Sequence, residues 1–135
     1  MKRSIHSALA LIRSPAARPL RFLLVGGAAT ATHLASAALM LLVVPSALPY
    51  LINLFAFTLA FVVSFLGHRH ITFGTHGSLS KFLVVALCGF ALNNLILALG
   101  LHWNLSALVA ITIATLCVPI LTYIASALWA FKPAT

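Results

Sequence analysis

The chain contains no aspartate and no glutamate in 135 residues. That absence excludes carboxylate general acid–base catalysis, carboxylate ligation of hard cations, and the carboxylate proton relays of many ion-coupled transporters. Only eight Lys/Arg and six His remain to handle charge, so the ligand that suits this chain is an anion. Cysteine is scarce as well. Cys88 and Cys117 both fall inside apolar stretches and read as small buried residues, not as a disulfide pair. No Walker-type phosphate loop is present. No cleavable signal peptide is expected either, because the first apolar run (residues 8–12) is too short and Arg13 and Arg18 interrupt the segment.

What the chain has in excess is apolar sequence: 63% of residues are hydrophobic and the mean hydropathy is +1.17. A membrane-spanning helix needs about 20 predominantly apolar residues. Residues 22–44, 50–66, 82–101 and 105–128 supply four such runs, and little chain remains for anything else. The expectation is an all-α membrane protein with four transmembrane helices. Residues 1–20 form a basic cytoplasmic or interfacial lead-in with prolines at Pro15 and Pro19, and residues 21–132 form the membrane domain.

The cations are Lys2, Arg3, Arg13, Arg18, Arg21, Arg69, Lys81 and Lys132. Five precede the first span, two bracket the loop between the second and third, and one follows the fourth. The two other loops, 45–49 and 102–104, carry none. Four spans therefore place all eight on one side, which the positive-inside rule makes cytoplasmic, with both termini inside. Insertion accounts for much of the basic character, so no nucleic-acid partner is needed; attraction to anionic membrane lipids is expected.

The two halves of the chain resemble each other. Arg21-Phe-Leu-Leu-Val25 opens the first span and Lys81-Phe-Leu-Val-Val85 opens the third. Twelve residues into each stands a polar residue, His33 and Asn93, about 18 Å along the helix and so near mid-membrane. Ser64-Phe65 and Thr122-Tyr123 precede closing residues Phe73 and Phe131 at nearly the same spacing. Two helices per repeat return the chain to its starting side, so two parallel two-helix repeats related by a pseudo-twofold along the membrane normal are expected.

Helices one and three begin at the cytoplasmic face, where unpaired N–H groups and the helix dipole favour an anion. Arg21 and Lys81 stand there. Arg69 stands at the end of the second helix, where a forked guanidinium can grip phosphate oxygens. His68 and His70 flank it; two residues apart, they point to different faces and do not form a metal pair. The competing reading makes Arg69 and both histidines simple interfacial anchors. Deeper polar residues are His33, Asn53, Thr58, Asn93, Asn94 and Thr122. They serve either as interhelical hydrogen-bonding glue or as the lining of a wet path. Glue is the expectation for Asn53, Thr58 and Asn94, whereas His33 and Asn93 are candidates for the path. Small residues from Gly26 to Ala31 give the first helix a surface that another helix can approach closely, which raises a homo-oligomer. Phe57, Phe61 and Phe65 form a stripe that reads as packing or as an apolar groove for an isoprenoid or acyl chain.

Arg21-Phe-Leu-Leu-Val-Gly26, the segment Phe65-Leu-Gly-His-Arg-His-Ile-Thr-Phe73, Asn93, and Trp129-Ala-Phe131 together resemble the GtrA-like small membrane proteins, from about Arg21 to Lys132. The family pattern closing helix two is roughly Asn-Arg-x-Trp-Thr-Phe. Arg69, Thr72 and Phe73 match it, while His68 and Ile71 replace Asn and Trp. In the second half, Trp129 and Phe131 match, but Ser126 and Ala127 stand where Asn and Arg often do, so the basic site is one-sided and rests on Arg69. The resemblance implies a bacterial inner-membrane protein of cell-surface polysaccharide synthesis. It would flip polyprenyl-phosphate-linked sugars or support the glycosyltransferases that use them.

These readings converge on a protein that binds and translocates a polyprenyl-phosphate sugar, with no cofactor, no metal and no catalytic residue. Arg69, Arg21 and Lys81 hold the phosphate, His68 and His70 assist, and His33 and Asn93 line the sugar's path. The alternative is a non-transporting scaffold that anchors a glycosyltransferase. A cationic-drug exporter of similar size would need an embedded glutamate. An enzyme would need a nucleophile–base–orienter set that the chain lacks, short of a Ser64/His68 pair.

Overall fold

The computed structural model describes residues 14–72 and 79–129 and is all-helical, with no strand among those residues. A 3₁₀ turn at Pro15–Ala17 leads into α1 (Arg18–Val43); α2 (Pro49–Gly67), α3 (Leu79–His102) and α4 (Ala107–Trp129) follow. The expected basic stretch up to Arg13, Phe73, and the tail with Phe131 and Lys132 lie outside the described residues. Three helical segments, Pro19–Val43, Pro49–Thr72 and Phe82–His102, are long and apolar enough to cross a membrane, and α4 is apolar over Ala107–Ile120.

Two boundaries differ from expectation. α1 starts at Arg18, so its first turn takes in the end of the anticipated lead-in. Proline is tolerated there because the first-turn N–H groups have no intrahelical partner anyway, and Pro19 occupies that turn. α2 does not stop near Leu66. Its helical path continues as a π turn over His68–Thr72, a wider winding that re-aims side chains and recurs at functional sites.

The turns follow from local chemistry. Leu48 is extended and Pro49 opens α2. At the end of α3, Leu105 N–H bonds to Gly100 C=O and Asn104 N–H to Leu101 C=O, both at 3.0 Å. This is a Schellman closure with Asn104 in the left-handed region, at φ 60°, where asparagine is better tolerated than most residues. Ser106 then caps α4 through its Oγ and the Val109 N–H at 3.4 Å.

α1 packs mainly along α2 and α3 along α4; the α1–α4 and α2–α3 seams are looser, and α2 and α4 approach across the centre. The innermost residues fall in pairs. Ala37 of α1 and Leu97 of α3 are sealed sixty positions apart. Ile52, Asn53 and Ala56 of α2 match Ala110, Ile111 and Ala114 of α4 at a constant offset of 58. His33 and Asn93, also sixty apart, are both buried. The internal repeat is therefore carried by the core as well as by the helix openings.

Outside this core the bundle is apolar. Leu23, Leu24, Leu39, Leu42 and Ile120 are largely exposed, which suits hydrocarbon and not water. Cys88 faces outward as well, so the expectation of a buried thiol is corrected: much of α3 presents its apolar side chains to lipid. Without a hydrophobic drive between helices in lipid, close approach depends on small residues. A Cβ at Gly67 would lie 2.6 Å from Val25 Cγ1, and one at Gly100 would lie 2.9 Å from Ala110 Cβ. By contrast, nothing lies within 4 Å of a Cβ placed at Gly26 or Gly27. The small surface of α1 is not what packs the bundle.

Candidate functional site

Midway along the bundle a chain of neutral polar side chains joins all four helices. His33 of α1 bonds through Nε2 to Asn53 Oδ1 of α2 at 2.9 Å. With the amide oxygen accepting, Nε2 carries the proton. Asn53 Nδ2 donates to Asn93 Oδ1 of α3 at 2.6 Å and to Asn94 Oδ1 at 3.2 Å. Asn93 Nδ2 reaches Thr115 Oγ1 of α4 at 3.5 Å, and Asn94 Nδ2 donates to Phe90 C=O at 3.0 Å. His33, Asn53, Asn93 and Thr115 are all buried. Asn53 is fully enclosed and is the hub, since it touches both α1 and α3.

Thr115 stands four residues before Pro119, which lies inside α4. Proline has no N–H, so the Thr115 carbonyl lacks its usual i+4 donor.

The other pole of the site is the end where α1 and α3 begin and α2 finishes. His68, in the π turn, is buried. Its ring stacks on Phe22 of α1 at 4.6 Å between centroids and meets Phe82 of α3 at 5.8 Å, tilted by 59°. Nδ1 shares a hydrogen bond with Thr72 Oγ1 at 3.0 Å. The trio Phe22–His68–Phe82 thus ties three elements together, and each member has a cationic neighbour in sequence: Arg21, Arg69 and Lys81. Arg21 is half-buried, with Nη1 3.4 Å from Ser14 C=O. Arg69 is exposed, with its Cζ 5.9 Å above the Phe65 ring, a cation–π arrangement. Lys81 lies in the first turn of α3. His70 is exposed, on a different face from His68, as their spacing requires. No group of three or more potential metal ligands occurs among the described residues.

Between the poles, Phe57, Phe61 and Phe65 of α2 meet α3. Phe57 stacks on Phe90 at 4.2 Å, and Phe61 and Phe65 lie 5.8 and 5.7 Å from Phe82. The packing reading of the stripe describes this contact. Of the expected glue residues, Asn53 and Asn94 do cross between helices. Thr58 does not: it is exposed and bonds its own helix at Leu54 C=O, 2.8 Å away. A threonine in a helix readily satisfies its hydroxyl this way. Asn53 was expected as glue but not as the hub, and Thr115, the contribution of α4, was not expected at all. The first had a signal, because Asn53 lies four residues before Phe57 on the same face as the stripe. The second had only the spacing from Thr115 to Pro119.

Fold and site together define a multi-pass, four-helix membrane protein with a neutral hydrogen-bonded centre and a cation-bearing end. Over residues 21–131 the chain matches the family model described as the GtrA/DPMS transmembrane domain, and it belongs to that family. With its apolar helices, this makes it a membrane protein of glycoconjugate synthesis. No match is found among curated proteins or among solved structures.

Proposed function

We propose that the protein binds a polyprenyl-phosphate-linked sugar by its phosphate at the cation-bearing end and translocates the headgroup across the bacterial inner membrane. The observation that carries this reading is the aromatic trio at that end. Phe22, His68 and Phe82 draw together the segments that bear Arg21, Arg69 and Lys81, in a chain with no carboxylate to neutralise them. Two helix N-termini at the same end add partial positive charge. The phosphate is held by Arg69, Arg21 and Lys81, with His70 exposed beside them and His68 setting the geometry from below. His33 and Asn93 belong to the path of the sugar. The isoprenoid chain stays in the surrounding lipid.

In this reading both termini and the basic residues 1–20 are cytoplasmic, residues 21–132 act as one membrane domain, and no chemical step is catalysed. The gradient of the lipid-linked sugar drives transport. The test is uptake of labelled polyprenyl-phosphate sugar into proteoliposomes. Arg69→Ala should lower the initial rate about tenfold or more, since a hydrogen bond to a charged group contributes ~1.5–3 kcal/mol. Full activity in that variant overturns the phosphate assignment.

One observation favours a second reading, a scaffold that anchors a glycosyltransferase. Among the described residues nothing lies within 4 Å of a Cβ placed at Gly26 or Gly27, which leaves that surface open to a partner helix. Co-purification with such an enzyme, without transport in proteoliposomes, selects it.

A further inference from the structure

Along α2, every fourth residue from mid-bundle to the cation-bearing end forms one stripe: Asn53, Phe57, Phe61, Phe65 and Arg69. Residues four apart share a helix face. On α3 the facing residues repeat the order, with Asn94 at mid-bundle, then Phe90, then Phe82. Each level is joined across the seam: Asn53 to Asn94 at 3.2 Å, Phe57 to Phe90 at 4.2 Å, and Phe61 and Phe65 to Phe82. The five phenylalanines are half-buried, so part of each ring reaches the bundle surface.

Packing alone does not require this sequence of groups. The pseudo-equivalent seam between α4 and α1 has the same fold around it but different residues. Ile111, Thr115 and Pro119 take the places of Asn53, Phe57 and Phe61, and Thr30 and Leu34 those of Phe90 and Asn94. Phe22 and Tyr123 keep aromatic residues at the places of Phe82 and Phe65, but the inner rings, Phe57, Phe61 and Phe90, belong to one seam of the two; that seam ends in Arg69, whereas its counterpart ends in Ala127.

A tail-binding groove should become more apolar with depth. This one is polar at both ends and aromatic between, which matches a sugar ring: apolar C–H faces that lie against aromatic rings, and hydroxyls that exchange hydrogen bonds with amides. We propose that the α2–α3 seam is a saccharide-binding track, with the Phe57–Phe90 stack as its closed step and Asn53, Asn93 and Asn94 as the hydroxyl-binding group behind it. This deepens the phosphate-lipid reading and rests on it. The phosphate is held at Arg69 while the sugar advances along the rings, and the amides, now bonded to one another, turn to the sugar.

The track is tested by binding to the full chain in lipid nanodiscs, with two probes: a polyprenyl-phosphate hexose and the same polyprenyl phosphate without sugar. Wild type should bind the hexose lipid more tightly. The F57L/F90L double variant keeps apolar volume and loses the rings; it should lose about tenfold affinity for the hexose lipid, ~1.4 kcal/mol, and none for the sugarless lipid. Phe55→Leu, off the stripe and exposed, should bind both as wild type does. Equal affinity of wild type for the two lipids overturns the track and leaves the phosphate site standing. Equal loss of both lipids in the double variant also overturns it. If wild type binds neither lipid, the proposed function falls and the track falls with it. A second measurement needs no variant to fold. A photoreactive hexose lipid bound to wild type should crosslink to α2 and α3 between residues 53 and 94, and crosslinks confined to the α1–α4 seam overturn the assignment.

Discussion

Removing the amide of Asn53 should be the most costly single truncation in the centre of the bundle. Asn53→Ala breaks three interhelical bonds, to His33, Asn93 and Asn94. Interhelical side-chain hydrogen bonds in membranes average about 0.6 kcal/mol each and reach about 1.7, so the bonds alone contribute about 2 kcal/mol. The former partners then remain enclosed, and an unsatisfied buried group costs ~1–3 kcal/mol more. Partial re-pairing between His33 and the α3 amides offsets part of that, which leaves an expected loss of about 2–4 kcal/mol. The assay is equilibrium unfolding of the purified protein in mixed micelles, run as a double-mutant cycle with His33→Ala. The coupling energy should be about 0.6–1.7 kcal/mol. A variant within about 0.5 kcal/mol of wild type, the range of ordinary surface changes, or a cycle with no coupling, refutes the hub.

Two further substitution pairs separate contacts that a sequence pattern treats alike. Gly100→Ala should destabilise the protein by about 1–3 kcal/mol, the usual range for overpacking, because its Cβ meets Ala110 Cβ at 2.9 Å and Cα at 3.4 Å, with no flexible chain end to yield. Gly27→Ala meets nothing within 4 Å and should be neutral or stabilising by up to about 1 kcal/mol through helix propensity; thermal unfolding in detergent compares the two. Thr58→Ala and Thr112→Ala remove hydroxyls that bond only their own helix backbone, at Leu54 and Leu108. Each should change stability by less than about 0.5 kcal/mol in the same unfolding assay, in contrast to Asn53→Ala.

The helices were legible because their cause is local. A run of about 20 apolar residues is a spanning helix in lipid whatever its neighbours do, and Pro49, Asn104 and Ser106 mark the turns by their own backbone chemistry. The repeat was legible at the openings of α1 and α3, where a cation and a phenylalanine recur at the same register. What the pattern could not disclose is which face of each helix turns inward. Asn53 and Thr58 are both polar and both lie within the apolar run of α2, yet one is sealed inside the bundle and the other faces outward. The difference is five residues, a rotation of about 140° at 3.6 residues per turn, and apolar residues surround both. For the same reason Gly26-Gly27 looked like a packing surface while Gly67 and Gly100 bear the close contacts. In lipid the outward face is as apolar as the inward one, so the periodicity that orients a soluble helix is weak here.

The symmetry of the core and the asymmetry of the seams constrain the function together. At the innermost positions the halves match in which residues are buried, with alanine at both 56 and 114 and a polar residue at both 33 and 93, although Ala37/Leu97 and Ile52/Ala110 differ in size and Asn53/Ile111 in polarity. Two parallel repeats of this kind present two equivalent seams and, at the cation-bearing end, two equivalent helix starts. If the protein were only a packed anchor, both seams could have drifted freely toward the same small and aliphatic residues that fill the centre. Instead one seam carries five half-buried aromatic rings, the Asn53–Asn94 pair and Arg69, while its counterpart keeps aromatics only at Phe22 and Tyr123 and has Thr115, Pro119, Thr30 and Ala127 at the sites of Phe57, Phe61, Phe90 and Arg69. Aromatic rings also keep α2 and α3 farther apart than small residues would, at the seam already looser than the two hairpins. A looser seam with satisfied but neutral polar groups at its base can open without stranding a charge in lipid. In a carboxylate-free chain, that favours a route for a hydroxylated, uncharged headgroup, with its phosphate kept at the basic rim.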